Sequence, residues 1–522
     1  MMKPGSRSFG RNMLPGRRIL CLAVLLVVIS CMLFWSPITA AELLSPQQII
    51  LTWVADPATT QAVTWLMPPD PAAAIQYLSA SEFCADFNAA LQSEAQGVAF
   101  GGGETIYRYT VNLTDLTPDT EYVYRVGREG AWSKPARFIT AAETEDFSFM
   151  YMGDVQAGYE EWGELLDSAY KTHPDIKFSL LGGDLTDKGN DLAEWGEFIN
   201  AATGLFSRIP MMPAKGNHDG ELFAEFFSLP DNGPRGVSET FYSFDYGNAH
   251  FVVLDTSNIV TENVKQWLAE DLQGTYKKWK FAVFHKPAYP VVHDNKGIDV
   301  AIREHWVPIL EENKVDMVFV GHQHVYMRTH PLCQETVKTD SYGIVYVMGN
   351  AGSKYYAKGG VFPYKAVEEE GNNYQVIELV GDVLTMKSWK ANGELIDSYT
   401  IDKTPQGPPE RPRYSIIPKE DPAYSIGSTA DGIQTMLVNG QQTGLKYFTV
   451  SIEPLVSANG MATAVFTHLR DGVQIGINAA VADYDVVEAV QAGFNIKGGD
   501  IVKAYIVDDL SSSINFNPRL LQ

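Results

Sequence analysis

Five short segments between positions 153 and 324 combine glycine with side chains of the kinds that bind metal ions. Each follows an apolar stretch, and the five are Gly153-Asp154, Gly183-Asp184, Gly216-Asn217-His218-Asp219, His285 and Gly321-His322-Gln323-His324. A glycine beside a ligand lets the backbone turn sharply and lie close to an ion. Carboxylate, amide and imidazole ligands that share one carboxylate can hold two cations about 3.5–4 Å apart, which suits in-line displacement at phosphorus. The segments therefore predict a two-metal site for phosphoester chemistry.

Each segment also has an ordinary explanation when it is considered alone. Asp154 and Asp184 could be N-caps of helices that follow strands, a common role for aspartate. His322 and His324 could be surface histidines, although alternate side chains on a strand point the same way and could face one pair of ions. The presence of all five segments in one chain favours the metal site.

The segments belong to a stretch, 146–403, in which apolar strands alternate with helical patterns. Runs such as FSFMYM, IKFSLL and HFVVL are strand-like, and each is followed by polar residues. Between the first two runs, apolar side chains recur at the spacing of an amphipathic helix: Trp162, Leu165, Leu166, Ala169 and Tyr170. Such alternation predicts an α/β domain with buried sheets, whose active site lies where the strands end.

The stretch before this domain, 42–142, is predicted to be a β-sandwich. Tyr122, Tyr124 and Val126 alternate with Val123 and Arg125, which is the period of a half-buried strand. Several such short runs separated by turn residues are typical of a sandwich.

The C-terminal part is also predicted to be β-rich. Residues 404–414 are rich in proline and poor in apolar side chains, so we interpret them as a linker. Within 415–522, Phe448, Val450 and Ile452 alternate on one face of a predicted strand. We expect a small accessory β-sandwich there.

The first 41 residues have the pattern of a secretory signal. Five basic residues precede the apolar run 19–35, and Ala40 and Ala41 follow it. An uncleaved membrane anchor and a lipoprotein signal at Cys31 are the alternatives. All three predict a secreted or extracytoplasmic location, with or without attachment to a membrane or cell surface.

Charge and cysteine content restrict the possible partners and metal sites. Outside the first 40 residues the chain has 35 basic and 63 acidic residues, so we expect no nucleic-acid polymer as a partner. Cys84 and Cys333 could form one disulfide or remain separate thiols, and two cysteines are too few for a structural thiolate zinc site.

In their order, the five segments resemble the calcineurin-like metallophosphoesterases. The stretches YSFDYGNAHFVVLD and GHQHVYMRTH, with the β-rich module before them, are most similar to purple acid phosphatases, whose N-terminal module is fibronectin type III-like. The resemblance covers about half of the chain. It implies an α/β fold in which an αββα sandwich at 146–403 follows a fibronectin III-like sandwich at 42–142.

The resemblance also implies how the ligands are divided between two ions. Asp184 would bridge them. The ligands of the first ion would be Asp154 and His324, and those of the second would be Asn217, His285 and His322.

Three further residues receive roles toward the substrate from the resemblance. His218 would stabilise developing charge and help to protonate the leaving oxygen, with Asp219 orienting it. His293, eight residues after His285, would face the substrate. The segment GNAGSKYY at 349–356 either lines the pocket or is an ordinary glycine-rich turn.

Two positions depart from the family pattern. Purple acid phosphatases have a tyrosine ligand three residues after the second aspartate, and Asp187 stands there in this chain. Relatives without that tyrosine often have a histidine two residues after the first aspartate, where this chain has Gln156. The Gln156 amide could ligate weakly or hold a metal-bound water. We therefore expect no ferric–tyrosinate colour and leave the metals open among Fe, Zn and Mn.

The expected function is hydrolysis of a small phosphate monoester by a hydroxide that bridges the two ions. A phosphodiesterase with the same site is one alternative. An extracellular binding protein that has kept the metal fold without turnover is the other.

Overall fold

The computed structural model describes residues 45–142, 144, 146–237, 240–257, 261–292, 297–338, 342–404, 412–429, 432–456, 461–508 and 521. The signal-like segment 1–41, His293 and most of the predicted linker at 404–414 lie outside these ranges. None of the helices in the described ranges is long and apolar enough to cross a membrane.

The N-terminal part is a β-sandwich, as its alternating pattern predicts. One sheet contains β1 (Gln47–Thr52), β2 (Gln61–Met67), β5 (Gly97–Ala99) and β6 (Tyr107–Leu113). The other contains β3 (Ala74–Ser79), β4 (Leu91–Glu94), β7 (Glu121–Arg128), β8 (Ala131–Trp132) and β9 (Ala136–Ile139). Tyr122, Tyr124 and Val126 of β7 enter the core between the sheets. A half-buried strand would leave the opposite face exposed, but Val123 on that face is buried too, because it packs against Leu78 and Phe87 outside that core.

The central part contains two sheets that pack face to face. The first sheet is made of β10 (Phe147–Met152), β11 (Ile176–Leu181), β12 (Met211–Pro213), β22 (Asn373–Val380), β23 (Val383–Lys390) and β24 (Leu395–Asp402). The second is made of β13 (Tyr242–Tyr246), β14 (Ala249–Leu254), β15 (Trp279–Phe284), β16 (Met317–Val320), β17 (Tyr326–Thr329), β20 (Val345–Met348) and β21 (Lys365–Glu369). A small hairpin joins β18 (Leu332–Cys333) to β19 (Thr336–Val337).

Helices cover the outer faces of both sheets, so the layers are αββα, as the resemblance implies. The six helices in the described ranges are α1 (Tyr159–Thr172), α2 (Leu192–Phe206), α3 (Phe223–Phe226), α4 (Glu262–Gly274), α5 (Ile298–His305) and α6 (Val307–Glu312). Aromatic side chains fill the space between the sheets: Phe149 stacks on Phe178 at 5.2 Å and meets Phe281 at 5.4 Å. Burial on both faces explains why the central strands are apolar throughout rather than alternating.

Helix α1 follows the predicted spacing closely. Trp162, Leu165, Leu166 and Ala169 are buried, and Trp162 stacks on Phe198 of α2 at 4.9 Å. This stripe seals the first sheet from solvent.

The C-terminal part has two sheets around one core. They contain β25 (Tyr414–Pro418), β28 (Thr443–Pro454) and β31 (Ala489–Lys497) on one side. The other side contains β26 (Tyr424–Ser428), β27 (Gln434–Val438), β29 (Ala462–Arg470), β30 (Val473–Ala482) and β32 (Ile501–Val507). Phe448, Val450 and Ile452 all face the core, as predicted.

The two cysteines left open by the sequence are unpaired. Cys84 is exposed and Cys333 is half-buried, and both are free thiols. The disulfide alternative is therefore not realised in this structure.

Candidate metal centre

The candidate ligands come together because parallel strands end at one edge of the domain. Strands β10, β11 and β12 are parallel neighbours in the first sheet, and β14, β15 and β16 are parallel neighbours in the second. Asp154, Asp184 and Asn217 follow the first three strands, and His285 and His322 follow β15 and β16. The carboxyl ends of both sheets thus deliver side chains to one place.

Two clusters of ligand-type side chains share Asp184. In one, single ligand atoms of Asp184, His285 and His322 lie within 4.8 Å of one another. In the other, the same holds for Asp154, Asp184 and His324. The division of these five residues matches the one implied for two ions that share a carboxylate.

Buried polar atoms without partners indicate that the clusters suit cations. Asp154 Oδ1, Gln156 Oε1 and His285 Nε2 have no hydrogen-bond partner among the described residues, and each is shielded from solvent. His285 Nε2 lies 3.1 Å from Asp184 Oδ2, but at an angle unsuited to a hydrogen bond. Buried polar atoms are normally paired, and bound cations would satisfy these.

Four of these residues adopt a left-handed backbone conformation that non-glycine residues rarely adopt. The φ angles are 45° for Asp154, 50° for Asp184, 77° for His322 and 47° for His324. Backbone strain of this kind persists where the surroundings enforce it and is concentrated at functional sites. Here the His322 amide donates to Asp154 Oδ2 at 2.6 Å, which ties two of the strained loops together.

His322 and His324 do not converge by strand alternation, contrary to the prediction. They lie in the loop between β16 and β17 rather than on a strand, and they face different clusters. Left-handed turns at both residues, not strand alternation, set their directions.

Glycines beside the ligands allow close approach, as predicted. A Cβ at Gly216 would overlap the backbone nitrogen of Asp184, and one at Gly321 would overlap the Asp154 carboxylate. Side chains at these positions would force the loops apart.

Charges within the site influence one another strongly. Burial disfavours the charged form of His285, but the Asp184 and Asp154 carboxylates outweigh it and raise its pKa to about 9. Burial would likewise raise the pKa of Asp184, but the positive charge of the nearby His285 and the hydrogen bond from the His218 amide lower it below its usual range. The site therefore favours an ionised Asp184.

In the cluster of Asp154, Asp184 and His324, burial has the largest effect on the pKa values of Asp154 and His324. Burial raises the pKa of Asp154 well above its usual range and lowers that of His324 to about 4. The Nδ1 of His324 donates to the Lys354 carbonyl at 3.0 Å. This hydrogen bond leaves Nε2 as the nitrogen directed toward Asp154, at 3.6 Å from its Oδ1, a common way of fixing the tautomer of a ligand histidine.

Gln156 lies beside this cluster. Its Nε2 is 3.1 Å from Asp184 Oδ2 and 3.1 Å from His324 Nε2. The amide nitrogen thus contacts the shared carboxylate and the histidine together, while Oε1, the atom that could ligate an ion, has no hydrogen-bond partner among the described residues.

The segment 215–219 brings Asn217 and His218 to the same edge. Asn217 is exposed, and the His218 amide next to it donates to Asp184 Oδ1 at 2.8 Å. The imidazole Nδ1 of His218 is 2.8 Å from the Asp187 carbonyl oxygen and 3.6 Å from Asp187 Oδ1. Because a carbonyl only accepts, Nδ1 carries the proton and Nε2 is left for other partners.

Asp219 does not orient His218, contrary to the expectation. Its Oδ1 accepts from the amides of Leu185 at 2.6 Å and Thr186 at 3.2 Å, and its Oδ2 accepts from the Gly216 amide at 2.7 Å. Burial and the nearby Asp184 charge raise the pKa of Asp219 to about 7. Asp219 therefore joins two ligand loops, and the contact with His218 is made by Asp187.

Two contributions were missed or left open by the sequence. The role of Asp187 does not follow from its replacement of a tyrosine, although its place three residues after Asp184 is a signal that it lies near the site. The segment 349–356 lies against the ligand loops, since Gly352 donates to the Asp154 carbonyl at 2.8 Å and Lys354 accepts from His324. The Tyr356 ring packs 4.7 Å from the His324 ring.

Two family profiles match the chain. Residues 147–326 match the calcineurin-like phosphoesterase profile, and residues 46–140 match the purple acid phosphatase N-terminal domain profile. The first match contains the sites of all five ligand-bearing segments.

Sequence relatives cover part of the chain. An uncharacterized protein of Mycobacterium tuberculosis is 27% identical over 271 residues, which are 42% of this chain and 50% of that protein. Purple acid phosphatase 21 of Arabidopsis thaliana is 29% identical over 47% of this chain and 58% of its own length. The Fe(3+)-Zn(2+) purple acid phosphatase 12 of the same plant is 25% identical over 67% of this chain and 81% of its own length. The chain thus spans less than two thirds of the first two relatives.

A solved structure shares the fold. Purple acid phosphatase from yellow lupin seeds superimposes with a TM-score of 0.60 at 18% identity, over 69% of this chain and 74% of that one. The central domain of this chain belongs to the calcineurin-like phosphoesterase family over residues 147–326 and has the fold of the lupin phosphatase. Its N-terminal domain places the chain more narrowly among the purple acid phosphatase-like proteins.

Proposed function

We propose that this protein is an exported binuclear-metal phosphoesterase that hydrolyses phosphate monoesters. One observation carries the proposal: Asp184 belongs to both clusters of ligand-type side chains. A shared carboxylate is the feature that distinguishes a two-ion site from two isolated ones.

Five of the six proposed ligands belong to the two clusters, and Asn217 is added from the family resemblance. Asp154 and His324 would hold one ion, Asn217, His285 and His322 the other, and Asp184 both. Gln156 is assigned a hydrogen-bonding role beside the first ion, with direct ligation as the alternative. When bound, the ions would supply Lewis acidity at the phosphate and a nucleophilic water near neutral pH. The mixed oxygen and imidazole ligands suit Fe, Zn or Mn, and the relative named for Fe(3+) and Zn(2+) supports such a pair.

His218 is the proposed proton donor. The Asp187 carbonyl accepts from Nδ1, so a protonated imidazole would present Nε2–H to the substrate. As the bond between phosphorus and the leaving oxygen breaks, that oxygen takes the bonding electron pair and the Nε2 proton. General-acid help of this kind is worth about 10²–10⁴ in rate.

Hydrolysis of p-nitrophenyl phosphate and bis-p-nitrophenyl phosphate by protein loaded separately with Fe, Zn or Mn tests the proposal. We expect two metal ions per chain and turnover of the monoester. Turnover of the diester alone would replace the proposal with a phosphodiesterase.

A non-catalytic binding protein is the second candidate. Two relatives are named probable inactive purple acid phosphatases, at 26% and 25% identity. Two bound metals without turnover of either ester, under every metal, would favour this candidate over the enzyme.

The proposal also includes the location of the protein and the class of its substrate. The signal-like pattern of residues 1–41 supports a secreted or surface-attached protein, and the net charge of −23 opposes a nucleic-acid polymer as substrate. Mass spectrometry of the mature N-terminus would show cleavage after the small residues near position 41, and an intact Met1 would contradict it.

A further inference from the structure

We infer that Glu194 and Trp195, in the first turn of α2, position His218 by holding the 187–189 turn (Asp187, Lys188 and Gly189). The inference rests on the proposed role of His218 as proton donor. Neither residue belongs to the two ligand clusters, so both are positioning residues rather than catalytic ones.

Helix α2 holds one side of the 187–189 turn. Glu194 Oε1 accepts from the Asp187 amide at 2.8 Å, and Oε2 accepts from the Lys188 amide at 2.9 Å. The indole Nε1 of Trp195 donates to the Gly189 carbonyl at 2.8 Å. Two adjacent side chains thus fix the backbone of three consecutive residues.

The other side of the same turn holds His218. The Asp187 carbonyl accepts from the imidazole Nδ1 at 2.8 Å, and the Gly189 amide donates to the His218 carbonyl at 2.8 Å. Both the ring and the main chain of His218 are therefore anchored to the turn. Gly189 must stay small, because a Cβ there would overlap the backbone of Asp219.

A purely helical role for Glu194 is the main alternative. The spacing of Asp191 and Glu194 matches a capping box, in which Glu194 would accept from the Asp191 amide. Instead, the Asp191 amide donates to the Lys188 carbonyl, and Asp191 caps the helix alone through the Ala193 amide at 3.0 Å. The Glu194 carboxylate therefore serves the 187–189 turn rather than its own helix.

A third element restrains Glu194. The hydroxyl of Tyr159, at the start of α1, donates to Glu194 Oε1 at 2.6 Å. With the fully buried Trp195 beside it, the carboxylate has little freedom to leave the 187–189 turn. A contact network that is already rigid before substrate binds is what pre-organised catalysis needs.

Glu194→Ala tests the inference in the full-length, metal-loaded protein. We expect kcat for glycerol 2-phosphate, a poor leaving group that needs a proton, to fall by about 10–100-fold. The kcat for p-nitrophenyl phosphate should fall less than about threefold, and metal content and KM should change little. Glu197→Ala is the matched control, since Glu197 is an exposed carboxylate on α2 without a partner among the described residues.

Two further measurements separate positioning from general damage. In the His218→Ala background, Glu194→Ala should cause no additional loss, because residues that act as a unit are non-additive. Hydrogen exchange of the Asp187 and Lys188 amides should be faster in Glu194→Ala than in wild-type protein, both with and without substrate. Glu194→Gln, which keeps one acceptor oxygen, should recover part of the rate on glycerol 2-phosphate.

Failure of the positioning role can be distinguished from failure of the proposed function. If wild-type protein turns over neither ester, the proposed function is wrong, and hydrogen exchange alone still tests the hold of Glu194 on the turn. If wild-type protein is active but Glu194→Ala slows both esters equally, or adds fully to His218→Ala, the positioning role is overturned. Unchanged amide exchange in Glu194→Ala would overturn it as well.

Discussion

Asp184 is the single side chain on which both candidate metal clusters depend. Asp184→Asn keeps the shape of the side chain but removes the negative charge that two cations would share. We expect bound metal to fall below two ions per chain and phosphatase activity to drop by more than about 10⁴-fold, beyond the range of an ordinary acid–base defect. Metal analysis of purified protein measures this directly.

Asp191→Asn is the control for that change. Asparagine caps helices as well as aspartate does, and Asp191 only caps α2. Wild-type metal content in Asp184→Asn would contradict the shared-ligand role.

His218 differs from the ligands because it should affect rate without affecting metal binding. His218→Ala is expected to keep both metals and lower kcat by about 10²–10⁴-fold. Steady-state kinetics with metal analysis of the same sample tests this. Loss of metal in His218→Ala would mean that His218 is itself a ligand.

The presence of Asp187 in place of a tyrosine ligand predicts the colour of the iron-loaded protein. The Asp187 carbonyl and carboxylate face His218, and the tyrosine ligand of purple acid phosphatases is absent from this position. Iron-loaded protein should therefore lack the strong purple band of a ferric–tyrosinate bond in its visible absorption spectrum. A purple band would require another tyrosine at the site.

At the level of secondary-structure elements, His250 joins β13, β14 and α4. Its Nδ1 lies 2.7 Å from Asp245 Oδ1 and its Nε2 lies 2.8 Å from Asp271 Oδ2. Burial opposes the charge, but hydrogen bonds to both carboxylates outweigh it and raise the pKa of His250 to about 9. These contacts give His250 a structural role.

This ion-paired histidine predicts how stability depends on pH. Because the folded pKa is above the ordinary value of about 6.5, the stabilisation is complete below pH ~6.5 and is lost as pH rises through 9. We expect a loss on the order of 2 kcal/mol across this range, since Asp245 is half exposed and solvent screens its share. Denaturant unfolding from pH 6 to pH 10 measures the slope.

His250→Gln provides the comparison, because glutamine can hydrogen-bond but carries no charge. The difference in unfolding free energy between wild-type and His250→Gln protein should shrink as pH rises. A difference that is constant from pH 6 to pH 10 would show that His250 is not charged in the folded protein.

At the level of the whole molecule, the N-terminal domain and the phosphoesterase domain share a hydrophobic core. Trp53 follows β1 but packs between rings of the phosphoesterase domain, 5.3 Å from Phe178 and 5.5 Å from Tyr246. The Tyr124 hydroxyl donates to the Ser207 carbonyl at 2.7 Å across the same boundary. The sandwich therefore covers apolar surface that the central domain would otherwise expose.

Trp53→Ala should destabilise both domains together. Removing a fully packed indole costs about 3–5 kcal/mol, so we expect a clearly lower midpoint of thermal unfolding. Trp132→Ala, at a half-buried indole on β8, should cost about 1 kcal/mol or less. Equal effects of the two substitutions would argue against a shared core.

Local patterns in the sequence were sufficient for much of the fold. The buried stripe of α1 and the inward row Phe448, Val450 and Ile452 both follow from periodicity. The burial of Val123 did not follow from periodicity. Whether the second face of a strand is covered depends on distant residues such as Phe87.

By itself, the sequence determined the types of ligand, their order and the strand ends that carry them, since these depend on residue chemistry and short-range periodicity. Only the tertiary structure decided that the His322 amide donates to Asp154 Oδ2. It alone also decided that Asp187 rather than Asp219 contacts His218, and that Glu194 holds the 187–189 turn. These contacts join residues from 6 to 168 positions apart. Their partners depend on sheet register and on the directions of individual hydrogen bonds, which local sequence patterns do not encode.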